Sequence, residues 1–388
     1  MAGMGMRVLA QYQRYKERGI VVSLDLHDES SYVVAVDVET GEVLVDENIR
    51  AGVRKVIGYV TGLGLDRCRS EVIYEAGNQG FYPQRLFAGA GYRCSVIAPT
   101  SIPKRGKKRK TDRDDAWNNL EFHVAGLLKY VYVPQLEDEE VRECLRYRHK
   151  LSCRATKMKQ KILSYCKRRG LDYTLTKSNW TVKHYQWLRS VKASVVVRML
   201  LDVYLDELQQ AQQKLDMVEG ALNEALAGTA QYKYYYDYYR LLPGFGHIGS
   251  MTAVLEGGAL GRFGHPDTLM NFTGLVPKKR SSGSADPALH ITKAGNRYLR
   301  LALVRGAAAY GDRRVMQRAI ANAKRIEDET LRCFMLKLIA RLSARYRLLR
   351  ARRKHPNTIK CAVARELCGF LWELYVKVIP PFTAAEAA

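Results

Sequence analysis

Two kinds of hydrophobic pattern divide the chain. Between residues 20 and 100 the apolar positions come in short β-rich runs. IVVSLDLHDESSYVVAVD (20–37) holds two of them around a polar turn, and VLVDENIR (43–50), EVIYEAG (71–77) and YRCSVIAP (92–99) supply three more. KVIGYVTGLGL and GFYPQRLFAGAG, lying between these runs, predict helices. Strands in hairpin order, then alternating with helices, predict a mixed sheet with helices packed on it. A further helical pattern, TDRDDAWNNLEFHVAGLL, begins at Thr111 and is broken at Val133-Pro134.

Beyond Pro134 the period changes to that of long helices. Leu151, Ala155, Met158, Ile162 and Tyr165 recur at alternating steps of four and three. Leu201, Tyr204, Leu208, Ala211, Leu215, Val218, Leu222 and Ala225 continue the same spacing over four heptads, a coiled-coil signal. Joined through 170–190, the two seams predict either an antiparallel hairpin or a seam between subunits; plain bundle packing accounts for them equally. From residue 231 the composition shifts again, with six tyrosines in QYKYYYDYYR, then LLPGFGHIGSMTAVLEGG, a Gly/Ser/Lys-rich loop at 274–296, and helical stretches at 297–324 and 328–353. The domains expected are 1–135, 136–230, 231–330 and a basic helical extension at 331–388.

Charge narrows the class of partner. Lys and Arg number 63 against 39 Asp and Glu, a formal balance of +24 that repels itself unless a polyanion neutralises it. The run KRGKKRK at Lys104, Arg105, Lys107, Lys108, Arg109 and Lys110 concentrates that charge, as does a series from Arg146 to Arg169 on the first heptad helix. Such residues give phosphate affinity without sequence choice. The tyrosines at 232–239 suit either base stacking or core packing. No apolar run approaches membrane-spanning length, no leader pattern opens the chain, and the eight cysteines include no C-x-x-C pair. A reduced, cytoplasmic setting is expected.

Against this basic background a few acids stand out. Asp25 lies inside the apolar run VVSLDLH, where a carboxylate is costly unless it meets a cation, and Glu75 repeats the oddity in VIYEAG. Asp112 and Asp115, three apart on a helix, project from one face. Together these oxygens could hold one or two Mg²⁺ or Mn²⁺ ions and support phosphoryl transfer. Asp28, Asp37 and Asp114 are the competing carboxylates. The eight histidines form no metal-ligand spacing, so zinc is not expected and none of them is given a catalytic role.

The second chemical block is Gly244-x-Gly246-x-x-Gly249. It does not follow a strand in a βαβ unit, so a dinucleotide fingerprint is a poor fit. A Pro-Gly-x-Gly turn between helices resembles a helix-hairpin-helix element, whose open amides can hold a phosphate; a simple tight turn accounts for it equally. In PKKRSSGS, Lys278, Lys279 and Arg280 can neutralise a phosphate beside a serine nucleophile. The residues alone leave Ser281, Ser282 and Ser284 open.

VVSLDLH, VIYEAGNQGFYPQRLF, SVIAPTSIPKRGKKRKTDRDDAWNNL and, downstream, LLPGFGHIG, FTGLVPKKRSSGS and ITKAGNRYLRLALVRGA resemble the DEDD transposases of bacterial insertion elements, recombinases guided by a bridge RNA. The likeness covers about residues 20–170 and 235–315. It implies an α/β plus all-α chain: an RNase H/RuvC-like domain, a coiled-coil insertion and a mainly helical C-terminal domain that carries the serine. It assigns the tetrad to Asp25, Glu75, Asp112 and Asp115 with Mg²⁺ (or Mn²⁺) as cofactor. It points to Ser282, the serine followed by Gly, as nucleophile. LDLHDES lacks the Lys that often follows the first Asp in that family. The partners implied are a structured noncoding RNA, donor and target DNA, and further copies of the chain, as dimers assembling to a tetramer. Two other readings fit parts of the pattern: a RuvC-like nuclease or junction resolvase working through the acids alone, and a non-enzymatic RNA-binding or architectural protein.

Overall fold

A computed structural model of the chain describes residues 19–103, 111–278 and 290–383. The chain separates into two compact units, Met1–Pro134 and Gln135–Ala388.

The first unit is built on a five-stranded mixed sheet. Strands β1 (Ile20–Leu26), β2 (Ser31–Asp37) and β3 (Val43–Ile49) form an antiparallel meander. Helix α1 (Val53–Gly62) leads to β4 (Ser70–Glu75), and α2 (Tyr82–Gly89) to β5 (Arg93–Ile97), both strands parallel to β1. The spatial order is β3-β2-β1-β4-β5, the mixed sheet the strand pattern predicts. Alternation along β1 sorts its side chains onto two faces. Val22 and Leu24 join Val56, Val60 and Phe87 in a core under α1 and α2, while Val21 joins Ile73, Ala116 and Leu120 under helix α3 (Asp112–Val124). Asp25 and Glu75 belong by the same alternation to the side that carries α3.

The second unit begins with α4 (Leu136–Arg168) and α6 (Val195–Gly228), with the short α5 (Val182–Ser190) between them. At 33 and 34 residues the long helices each run about 50 Å. The two heptad seams face each other within the chain. Met158 and Ile162 pack with Leu201 and Leu208, and Leu145 packs with Leu222 and Leu226, so the pair is an antiparallel hairpin. Helices α7 (Ala230–Arg240), α8 (His247–Gly257), α9 (Pro266–Thr273), α10 (Arg297–Ala307), α11 (Arg313–Ala323), α12 (Glu329–Ala351) and α13 (Pro356–Glu373) surround the largest core, in which Leu299, Leu303, Leu338, Val363 and Leu367 are fully buried. Helix α13 lies within the stretch expected as a helical extension, 331–388.

Candidate active site and nucleic-acid surfaces

The acid cluster forms where three elements end together. Asp25 occupies the penultimate position of β1, one step past the Leu24–Tyr74 pairing with β4, and Glu75 is the last residue of β4. Helix α3 is fixed by reciprocal bonds at its start: the Asp114 amide donates to Thr111 Oγ1 (3.2 Å), and the Thr111 hydroxyl donates to Asp114 Oδ2 (3.0 Å). The Ser23 hydroxyl, fully buried, donates to the Ala116 carbonyl at 2.7 Å and pins that first turn against β1. Asp112 and Asp115 are thereby held toward the strand ends.

The charges respond to this crowding. Asp25 is held up to about 6 from an ordinary 3.8, first because burial disfavours its charged form. The adjacent His27 opposes that shift, and Asp112, Asp115 and Glu75 each add to it as like charges. The other three acids singled out in the sequence therefore each lie within electrostatic reach of Asp25. The competing carboxylates have other partners. Asp28 accepts from Gln79 Nε2 (2.5 Å), Asp37 accepts the Glu39 and Thr40 amides in a turn, and Asp114 accepts the hydroxyl of Thr111, the residue that caps α3.

His27 is the residue that the sequence reading passed over. Two positions beyond Asp25, it falls on the same side of the chain, with Nε2 3.5 Å from Asp25 Oδ2 and 3.8 Å from Asp112 Oδ1. The spacing D-x-H at a strand end was the available signal; a search for His/Cys groupings along the sequence does not find it.

In the second unit the Pro-Gly-x-Gly segment is a tight turn joining α7 to α8. Gly244 has φ +84°, and a Cβ there would collide with the Gly306 carbonyl of α10, so its side of the turn is spent on packing. Gly246 caps α8 with open space around its Cα and borders a cleft of about 470 Å³, lined also by Arg148, His149, His247, Tyr298 and Arg305. The His149 ring is pushed down by burial and then by the positive charges of Arg305, Arg297 and Arg148. A neighbouring cleft of about 420 Å³ shares His149 and adds Lys150, Arg154, Lys157, Lys161 and Arg297.

A buried carboxylate organises this region. The Glu256 side chain has no exposure; it accepts Arg146 Nε (2.7 Å) and a second guanidinium nitrogen (2.8 Å), and Asn296 Nδ2 at 2.6 Å. Asn296 in turn caps α10 through the amides of Tyr298 and Leu299. One carboxylate thus ties the long hairpin, α8 and the start of α10 together. It sits in the apolar run MTAVLEGG, the same anomaly that drew attention to Asp25.

The chain has relatives among known proteins. Residues 239–321 match the family model "Transposase IS116/IS110/IS902 family". "Putative transposase y4qE" of Sinorhizobium fredii is 30% identical over 384 residues, 95% of this chain and 90% of its own length. The chain belongs to the IS110/IS116 transposase family. The transposases for the insertion sequence elements IS1533 of Leptospira borgpetersenii and IS1111A of Coxiella burnetii are 24% and 28% identical over 248 and 247 residues, covering 62% and 61% of this chain and 70% and 65% of theirs.

In this transposase the residues on either side of the serine segment pair with each other. Pro277 bridges to Ile291, the Lys278 amide donates to the His290 carbonyl (2.8 Å), and the Thr292 amide donates to the Val276 carbonyl (2.9 Å). Lys279, Arg280, Ser281, Ser282 and Ser284 lie outside the described residues, as do Lys104, Arg105, Lys107, Lys108, Arg109 and Lys110. Along α4, Arg146 and Arg148 are engaged by Glu256 and Glu219, while Lys150, Arg154, Lys157 and Lys161 are exposed. The tyrosines of α7 pack against the core of the second unit, the packing alternative weighed from the sequence. Tyr239 is buried, Tyr235 stacks on Tyr375 at 4.8 Å, Tyr236 bonds His247 Nδ1 (2.7 Å), and Tyr234 donates to the Pro380 carbonyl (3.1 Å). Among the described residues no helix is long and apolar enough to cross a membrane.

Proposed function

We propose that this transposase moves its insertion element by RNA-guided recombination, cutting and rejoining DNA through a phosphoserine on Ser282 assisted by a RuvC-like carboxylate site. The observation that carries the reading is the meeting of Asp25, Asp112, Asp115 and Glu75 at the ends of β1, β4 and α3. The sheet order, an antiparallel three-strand meander followed by two strands parallel to β1, is the frame expected of an RNase H/RuvC-like domain.

The residues fit a hard divalent cation. Like-charged carboxylates that raise Asp25 need a counter-charge, and their oxygens suit Mg²⁺ or Mn²⁺. Asp25, Glu75, Asp112 and Asp115 would hold it, and when bound it supplies Lewis-acid neutralisation of phosphate oxygens. The chain's own groups do the rest. The Ser282 hydroxyl gives up its proton and forms a bond to phosphorus while the bond to one sugar oxygen breaks and that oxygen takes a proton. Attack by the hydroxyl of an exchanged strand then reverses the step and frees the serine, so the ester conserves the bond and no external energy source is required. Lys278, Lys279 and Arg280 offset the charge that builds on the phosphate.

The clefts beside α4 and α8 hold nucleic-acid backbone, with Gly246 and its neighbours presenting helix-start amides and Arg154 and Lys157 the charge. Sequence choice falls to a guide RNA, and the serine and the acids come from different subunits of a homo-oligomer, dimers pairing into a tetramer, working on DNA in the cytoplasm. Asp25→Asn and Asp115→Asn test the carboxylate half. Strand cleavage should fall by roughly a hundredfold or more while DNA and RNA binding stay within about twofold. Cleavage at the wild-type rate in both variants would overturn the reading.

A further inference from the structure

The four carboxylates do not account for the whole cluster. One ligand atom each from His27, Asp25 and Asp112 lies within 4.8 Å of the others, with His27 Nε2 3.5 Å from Asp25 Oδ2 and 3.8 Å from Asp112 Oδ1. Donors about 2.1 Å from one octahedral cation stand about 3 Å apart when adjacent and about 4.2 Å apart when opposite. Both His27 distances fall in that range and the set as a whole spans no more than 4.8 Å, so the three groups can share an ion with side-chain adjustment alone.

The backbone supports the placement. His27 directly follows β1, and its amide is anchored in the β1–β2 turn by the Ser30 carbonyl (3.2 Å). Its side chain is 56% exposed, whereas that of Asp25 is 17% exposed. The imidazole therefore stands on the solvent side of Asp25, as does the 48% exposed Asp112, able to reach an ion without being needed for the core.

We infer that His27 is a nitrogen ligand of the cation held by Asp25 and Asp112, which makes the site a mixed nitrogen–oxygen site that prefers Mn²⁺ to Mg²⁺. Mg²⁺ is hard, keeps its water and favours oxygen, whereas imidazole is a good ligand for transition-metal ions. This inference rests on the carboxylate reading of the proposed function and adds to it the selectivity of the site. The rival role for His27 is that of a positive counter-charge to the acids, which predicts no metal–nitrogen bond and no Mn²⁺ preference.

Mn²⁺ itself is the probe, added to the full-length protein with its co-purified RNA removed so that phosphates do not compete. Loss of the free-ion electron paramagnetic resonance signal gives affinity, and spin-echo modulation from directly bonded ¹⁴N reports the imidazole. Wild-type protein should show the nitrogen coupling and bind Mn²⁺ roughly tenfold or more tightly than Mg²⁺, measured by competition. His27→Gln and His27→Lys should both lose the coupling and most of the Mn²⁺ preference, while still binding either ion through the acids. His27→Lys retains the positive charge, so persistence of the preference in that variant would establish the counter-charge role and overturn the inference. Bound Mn²⁺ with no nitrogen coupling in the wild type would overturn it while leaving the carboxylates as ligands. Failure of the wild type, and equally of Asp25→Asn, to take up any ion would remove the carboxylate reading as well.

Discussion

Asp25 carries an energetic cost that can be measured without any substrate. Its carboxyl, held up to about 6, remains protonated in the folded chain at pH values where the unfolded chain, near 3.8, has already lost the proton. Folding therefore takes up a proton between about pH 4 and 6, and the metal-free protein loses stability as pH rises through that window. Above it the ionised group costs the full penalty, which solvent screening reduces to on the order of 1–2 kcal/mol. Asp25→Asn should raise the melting temperature of the metal-free protein by a few degrees at about pH 7.5, with the gain gone near pH 4. Thermal scans across pH in a chelator would show this, and an unchanged or lowered melting temperature at neutral pH would contradict it. Glu256, by contrast, has its hydrogen-bonding partners in place. Glu256→Ala leaves Arg146 and Asn296 facing a buried gap and should cost about 2–4 kcal/mol by urea unfolding. A loss below about 0.5 kcal/mol would mean that the carboxylate does not join the hairpin to α10.

At the scale of elements, most of the frame was legible because periodicity reports which face is buried. The β-rich runs became the five strands, and the two heptad seams became the facing sides of α4 and α6. What periodicity could not supply was the partner of each seam. Heptad spacing states that an apolar stripe is covered and is silent on whether the cover comes from the same chain. The tyrosines of α7 present the same difficulty, since a ring that packs on Tyr375 and one that stacks on a base have the same local sequence. Asp25, Glu75, Asp112 and Asp115 were legible because charge in an apolar run and i, i+3 spacing are local signals. His27 was not, because its significance depends on a helix some 85 positions away (112 minus 27). The glycine turn separates two demands that share one motif. Gly244→Ala meets both a left-handed φ and the Gly306 carbonyl and should destabilise the second unit by about 2 kcal/mol or more, whereas Gly246→Ala should change stability by less than about 1 kcal/mol. Equal effects in chemical denaturation would contradict the packing role given to Gly244.

At the scale of the whole molecule, the +24 charge, the acid cluster and the serine loop make different demands on one chain. In the proposed reading the cations of α4 and of KRGKKRK would bring polyanions to the protein without choosing among them. In the same reading the acids would need a counter-ion, and the serine would require both a neutralised phosphate and a second strand to receive the bond. A hydrolytic nuclease would need only the acids; a recombinase needs the covalent step as well. The most direct measurement is therefore an adduct assay on the full-length protein with its co-purified RNA, Mg²⁺ or Mn²⁺, and labelled donor and target DNA, resolved on a denaturing gel. A labelled, protease-sensitive band that is present in the wild type and absent in Ser282→Ala, with RNA binding retained, is the expected result. DNA cut to free ends by both proteins, with no such band in either, would contradict the account.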